Sequence, residues 1–329
     1  RYGGAIYTFA PGYINVASCS FLNNRSTTKG GSAIYLSNWN HSSTIANSLF
    51  VGNEGANQGA VRHQASDSTI VNCTFADNVN GGIFQDDSGV SVLNCIVWDG
   101  DDSIAYLSVS TSVSHSIIES DGDDDPLFND PDNGDYTLSL SSPAIDVGNL
   151  SSNTDDLNDL DEDGDTDETL PYDLAGRPRI QSTALDLGAY EANSLGLEVT
   201  KESPYESTII VGTVTRYTDV TEALVVSLSS SNTTYLAVPA TVTIPAGEES
   251  VLFVIVLPDN DDDEPAHEVT LTASATDYIS KETTLSVQDD DPYEVVLSLN
   301  SYDVDEDDGT ITGTVSYSPV LSDDDVTIS

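Results

Sequence analysis

A short block recurs along the first third of the chain, and its spacing restricts the fold more than any other feature. Ala17-Ser18-Cys19-Ser20-Phe21 is followed by Ala46-Asn47-Ser48-Leu49-Phe50, Val71-Asn72-Cys73-Thr74-Phe75, Leu93-Asn94-Cys95-Ile96-Val97 and Ser114-His115-Ser116-Ile117-Ile118. The third positions, Cys19, Ser48, Cys73, Cys95 and Ser116, lie 29, 25, 22 and 21 residues apart. A β-branched residue precedes each block: Val16, Ile45, Ile70, Val92 and Val113. A second block, Gly3-Gly4-Ala5-Ile6, returns as Gly31-Ser32-Ala33-Ile34, Gly59-Ala60-Val61 and Gly81-Gly82-Ile83.

Short strands with Gly or Asn corners, repeating every twenty-odd residues, describe the coils of a parallel β-helix. One coil cannot bury its own apolar face, so like residues stack on like at the interstrand spacing of ~4.8 Å. Five coils then rise roughly 24 Å. Asn47, Asn72 and Asn94 are expected at left-handed corners, with amides bonding up the stack, and His115 takes the same place. Cys19, Cys73 and Cys95 share a column with serines, so they are expected as small core fillers rather than a disulfide framework.

The chain of 329 residues is long enough for two or three domains with real cores. Its 56 acidic and 9 basic side chains argue against a nucleic-acid or anionic-membrane partner, because displacing counterions from a polyphosphate takes Lys and Arg. The acids cluster, at 121–125, 155–168, 259–264, 289–291, 303–308 and 323–325. Clustering is expected where a divalent cation neutralises carboxylates; a solvated surface would spread them. With 38% hydrophobic residues in β-rich patterns, the chain has the material for cores. It has no apolar run long enough to span a membrane and no methionine, the latter expected of a processed chain or a piece of a longer one.

Residues 127–195 carry an ordered motif set. Asp125-Pro126-Leu127-Phe128 leads to Asp130-Pro131, Gly134-Asp135-Tyr136-Thr137-Leu138 and Ser142-Pro143-Ala144-Ile145-Asp146-Val147-Gly148. Asp173-Leu174-Ala175-Gly176-Arg177-Pro178-Arg179 and Asp186-Leu187-Gly188-Ala189-Tyr190-Glu191 complete it. The set resembles the segment that ends the β-helix in bacterial choice-of-anchor secreted proteins. That resemblance implies export, a modular surface protein and a polar cap on an open helix end, and no reaction. Inside this stretch, Asp159 to Glu168 places oxygen ligands at alternate positions with Gly164 sixth, as at the start of a calcium loop. The twelfth position is Leu170 instead of Glu, so an EF-hand is excluded, and a helix-free loop with Asp159, Asp161, Asp163 and Asp167 as ligands is expected.

From residue 196 the pattern becomes alternating, with seven strand-like runs in about 95 residues, the count of a sandwich. Val242-Thr243-Ile244-Pro245-Ala246-Gly247-Glu248 precedes Val251-Leu252-Phe253-Val254, an acidic stretch runs from Asp259 to Glu264, and Asp289-Asp290-Asp291 closes the unit. Together these resemble the Calx-β family, a sandwich with calcium bound at one end. Carried over by position, the resemblance implies Asp259, Asp261, Glu264, Asp289, Asp290 and Asp291 as ligands, with the early glutamate either Glu202 or Glu206. Thr234-Tyr235 stands where many members have Asp before Tyr, which implies fewer ions. Thr310 to Val315 echoes Ile210 to Val214, so residues 293–329 are expected to begin a second sandwich, with Glu306 near the joint.

The expected fold is therefore all-β: helix coils over 1–126, a capping segment over 127–195, a Calx-β-like sandwich over 196–292 and a partial second one over 293–329. The expected function is that of an extracellular, calcium-binding structural or adhesive surface protein, a filament or fibre subunit where strands are completed by another copy or a neighbouring surface protein. The alternative is a polysaccharide-binding or polysaccharide-degrading β-helix, with Tyr7, Tyr13, Tyr35 and Trp39 along a sugar groove. Cleavage is disfavoured, because Arg1, Arg25, Lys29 and Arg62 sit at unrelated positions and the acids at corners show no repeating geometry with His41, His63 or His115.

Overall fold

A computed structural model describes the chain except for residues 1–3, 10–13, 28–29, 38–41, 56–57, 65–66, 87–88, 101–102, 107–110, 154, 157–158, 160–162, 182–183, 261–263, 292–293, 300–311 and 319–329. Asp161, Asp261, Glu306, Tyr13 and Trp39 therefore lie outside the described residues. The chain divides into two compact units, residues 1–194 with 277–279, and residues 195–276 with 280–329. No helix among the described residues is long and apolar enough to cross a membrane.

Each coil of the first unit contributes three strands. The first coil has β1 (Ile6–Phe9), β2 (Asn15–Ala17) and β3 (Ser20–Leu22), and the second β4 (Ile34–Ser37), β5 (Ser43–Ala46) and β6 (Leu49–Val51). The third has β7 (Val61–Gln64), β8 (Ser68–Val71) and β9 (Thr74–Ala76), and the fourth β10 (Ile83–Asp86), β11 (Val90–Leu93) and β12 (Ile96–Trp98). The fifth has β13 (Ile104–Tyr106), β14 (Ser112–Ser114) and β15 (Ile117–Ile118). They form three five-stranded sheets, β1-β4-β7-β10-β13, β2-β5-β8-β11-β14 and β3-β6-β9-β12-β15, with parallel pairing throughout.

The register follows the sequence repeat. Val16, Ile45, Ile70, Val92 and Val113 are neighbours in the second sheet. In the third sheet Phe21, Phe50 and Phe75 stack at 4.8 and 4.5 Å between ring centroids, 4° from parallel. Identical rings one rung apart gain a stacked contact in addition to burial, and this holds the rungs in register. Cys73 and Cys95 lie in this core as expected, whereas Cys19 is exposed.

The corners are left-handed where the repeat placed them: φ is 50° at Ser18, 50° at Asn47, 52° at Asn72, 51° at Asn94 and 46° at His115. Their hydrogen bonds differ from expectation. Of their side chains, among the described residues, only that of Asn47 bonds to a corner of the adjacent coil, to Ser18 Oγ at 2.9 Å. Asn47, Asn72 and Asn94 otherwise donate outward, to Tyr172 O, Asn153 Oδ1 and Asn149 O. The ladder between coils is a different column, Asn24, Asn53, Asn78 and Asp99, spaced 29, 25 and 21 residues apart. Asn53 Nδ2 donates to Asn78 Oδ1 at 2.8 Å, and Asn78 N to Asp99 Oδ1 at 2.7 Å.

The described residues of 127–194 pack along the flank of the helix, where a cap on its end was expected. Their own sheet is a two-stranded hairpin of β16 (Phe128–Asp130) and β17 (Asp135–Leu138). Leu138, Ala144 and Leu187 pack on Ile96 and Ile117, and Leu170 packs on Ala46 and Val71. Gly188 N donates to Asn94 O, Ala189 N to Thr74 Oγ1 and the Tyr136 hydroxyl to Asp77. Leu49, Ala76, Ile96 and Ile117 face outward from the third sheet, so covering that flank removes their apolar area from water.

His63 is the one buried polar ring in the coil interior for which both nitrogens are without a hydrogen bond among the described residues. It sits beside Leu36 in the first sheet. Burial lowers its pKa to about 4. A proton thus favours the unfolded chain, where the ordinary value is 6.5. Stability present above pH 6.5 is lost as pH falls toward 4, by up to about 3 kcal/mol at 1.36 per pH unit. Urea melts at pH 7.5 and 4.5 should show this loss in the wild type and not in His63→Leu; equal acid sensitivity in both would refute it.

The second unit contains the seven strands expected: β18 (Leu195–Val199), β19 (Ile209–Arg216), β20 (Leu224–Ser230), β21 (Thr241–Ile244), β22 (Ser250–Val256), β23 (His267–Ser274) and β24 (Lys281–Val287). They form antiparallel sheets β18-β19-β22 and β21-β20-β23-β24. Inward residues alternate along the strands, with Val214, Phe253 and Ile255 from one sheet and Val226, Leu228, Val269, Leu271 and Leu285 from the other. A Cβ at Gly212 would meet the Phe253 ring at 2.3 Å, so a larger residue there would displace that ring. Beyond it, β25 (Glu294–Leu299) and β26 (Gly313–Ser318) form an antiparallel hairpin. Leu299 pairs with Gly313 as Val199 pairs with Gly212, so the sequence echo is a structural repeat.

Candidate cation site at one end of the sandwich

Main-chain pairing brings the acidic residues together. Glu202 O accepts from Ser286 N, Gln288 N donates to Pro204 O and Glu206 N donates to Gln288 O at 2.9 Å, so the turn before β19 lies against the end of β24. This sets Glu206 beside residues 289–291. Ligand oxygens of Glu206, Asp289 and Asp291 lie within 4.8 Å of one another. Of the two early glutamates, Glu206 is 2% exposed and in the group, while Glu202 is exposed.

Burial, and then the carboxylates of Asp289, Asp290 and Asp291, push Glu206 up to a pKa of about 7. Its Oε2 accepts from Asn260 Nδ2 at 2.9 Å, whereas Oε1 is buried and accepts no hydrogen bond. A buried carboxylate oxygen facing two further carboxylates is costly unless a cation meets it. Opposed oxygens around calcium stand about 4.8 Å apart, twice the bond length of ~2.4 Å. The donor set is thus suited to a hard divalent ion.

Glu264 flanks this group. Its amide donates to Asp289 Oδ2 at 3.1 Å, and Asn260 Nδ2 donates to its Oε1 at 2.8 Å. His267 Nε2 and the Tyr235 hydroxyl each lie 3.2 Å from its Oε2, and the Tyr235 and His267 rings stack at 3.8 Å. Burial opposes ionisation of Glu264, but these donors outweigh it and hold its pKa below the ordinary value. Tyr235, next to Thr234 where the family pattern differs, therefore supports a carboxylate. Asp259 and Asp290 are exposed. At the far end of β19, Arg216 is 3% exposed and binds main-chain carbonyls of Val220, Glu222, Pro245 and Glu248, a role its spacing in sequence did not signal.

The acidic loop of the first unit is arranged differently. Gly164, at φ 88°, donates to Asp159 Oδ1, while Asp163 and Asp165 accept from Asp165 N and Asp167 N. Asp163 and Asp167 are exposed, and Asp156, absent from the expected ligands, is fully buried. Among the described residues, Glu206, Asp289 and Asp291 are the group that gathers at ligand distance, and the loop carboxylates are not brought together in this way.

Among the described residues weighed for sugar chemistry, Tyr7, Tyr35 and Arg62 have structural partners. Tyr7 stacks on Tyr35 at 5.2 Å, and Arg62 lies over the Tyr35 ring at 4.8 Å while bonding Asp86 at 2.7 Å. The Tyr35 ring thus lies between Tyr7 and Arg62 and is 5% exposed. Asp99 ends the amide ladder, and His115 occupies a corner.

Residues 2–120 match the family model described as right-handed β-helix region. No curated protein matches the chain. Similar solved structures include a β-glycosidase from Bacteroides vulgatus, at 12% identity over 34% of this chain and 17% of that one, TM-score 0.25. A glycosyl hydrolase family 2 member from Bacteroides cellulosilyticus is 10% identical over 32% and 16%, TM-score 0.25. The apo-form Calx CBD1 domain is 18% identical over 31% of this chain and 100% of that one, TM-score 0.27. The chain thus spans about a sixth of the two enzymes, and scores this low identify no shared fold. The family match and the three parallel sheets agree that this is a parallel β-helix protein, with the helix in its first unit.

Proposed function

We propose that this chain is a calcium-binding structural or adhesive surface protein, exported from the cell, in which calcium fixes the acidic end of the sandwich. The observation that carries this reading is the buried Glu206, whose Oε1 accepts no hydrogen bond and which has a carboxylate oxygen within 4.8 Å of oxygens of Asp289 and Asp291. These three side chains would hold the ion, whose charge would offset their mutual repulsion. Residues 289–291 immediately precede the β25–β26 hairpin, so an ion there would stiffen the step from one sandwich to the next. Further partners in this reading are copies of the chain or neighbouring surface proteins that complete the second sheet by strand addition.

The test compares melting in excess calcium and in a chelator. A site held at a hundredfold excess over Kd contributes about 2.7 kcal/mol. For a domain of this size that corresponds to roughly 10 °C of melting temperature. Glu206→Gln should remove most of the calcium-dependent shift. Identical melting with calcium and with chelator would sink the proposal.

A further inference from the structure

Asn260 occupies an unusual place among these acids. Its Nδ2 donates both to Glu206 Oε2 at 2.9 Å and to Glu264 Oε1 at 2.8 Å, the two carboxylates coming from opposite ends of a 59-residue stretch, 206 to 264 inclusive. An amide nitrogen has two hydrogens, and here each meets one anion. Glu206 is 98% buried by its 2% exposure, so without these donors its second oxygen would also be orphaned. Glu264 in turn reaches Asp289 through its main-chain amide. Asn260 therefore ties the turn before β19 to the loop that follows β22.

From this geometry we infer that Asn260 is a positioning residue that holds the site together when calcium is withdrawn. The inference rests on the calcium reading above. A neutral donor bridging two carboxylates offsets part of their repulsion, as a cation would, while Glu206, Asp289 and Asp291 keep oxygens within 4.8 Å of one another. The site stays arranged between binding events, so calcium need not reorder the loop each time it returns. An aspartate at 260 would do the reverse: it would repel Glu206 and Glu264 without calcium and add a ligand with it. Ligand charge is one of the quantities that tune calcium affinity.

Two variants of the full chain, Asn260→Ala and Asn260→Asp, test this by melting and by titration with calcium chloride as the probe. The expected result for Asn260→Ala is a melting temperature roughly 5 °C lower in chelator and unchanged in saturating calcium. For Asn260→Asp the drop in chelator should be larger, and calcium should bind about tenfold more tightly. A variant that folds only with calcium present is the same result in extreme form. Equal drops with and without calcium would mean a purely structural contact and overturn the inference, leaving the calcium reading intact. Wild-type melting indifferent to calcium would overturn the calcium reading itself, before any variant is compared.

Discussion

Replacing Arg179 by Met is expected to lower the stability of the β-helix unit by about 3–5 kcal/mol, the usual cost of removing one partner from a buried ion pair. Arg179 is fully buried, with Nε 3.3 Å from Glu191 Oε1. Its Nη2 donates to Gly188 O at 2.8 Å and Asp186 O at 3.2 Å, and Nη1 to Asn47 Oδ1 at 3.3 Å. One side chain thus serves the flanking segment and a corner of the second coil. Its removal leaves three acceptors without their donor and Glu191 without its counter-charge.

The pH dependence identifies the cause. Burial raises the Glu191 pKa well above its ordinary value even though Arg179 opposes that shift. Without the guanidinium, Glu191 can escape only by taking up a proton, so Arg179→Met should be less damaging at pH 5 than at pH 8. Adding Glu191→Gln should recover part of the loss, since the two sites share one interaction. Urea unfolding of the single and double variants at both pH values measures this. A loss independent of pH, with no recovery in the double variant, would show that packing and not charge was removed.

The second large effect is a gain. Asp99→Asn should stabilise the β-helix unit at pH 8 by up to about 4 kcal/mol, the equivalent of a three-unit pKa shift. Asp99 ends a column that is otherwise Asn, and burial first, then Asp77 and Glu119, push its pKa up to about 7. A folded pKa above the unfolded value of 3.8 means stability is complete below that pH and is lost as pH rises to 7. An asparagine keeps the oxygen that accepts from Asn78 and cannot ionise. The gain should therefore vanish near pH 4. A constant difference across pH 4 to 8 would refute this account.

Much of this fold was legible in the residues. A coil repeat leaves no freedom of register, because each rung can bury its apolar face only against the same face of the next. Hence Val16, Ile45, Ile70 and Val92 align, and Asn47, Asn72 and Asn94 turn the same corner. The Asn24–Asn53–Asn78–Asp99 column follows the same spacing and was open to the same reasoning, but no apolar block marked it. The alternation of β18 to β24 and the echo around Gly313 were likewise readable, since strands show which face is buried every second residue.

What only the tertiary structure decided are the pairings between residues far apart in the chain. Nothing local distinguishes Glu202 from Glu206; the pairing of residues 202–206 with 286–288 buries one and exposes the other. Arg179 meets Asn47 across 132 positions, and the segment expected to cap the helix end lies along its side. Periodicity in a sequence records which face of an element is buried. It does not record which distant element covers that face, because many apolar surfaces would satisfy it equally well. The acids were visible from the start as clusters, but the close group of Glu206, Asp289 and Asp291 exists only once the sandwich has closed.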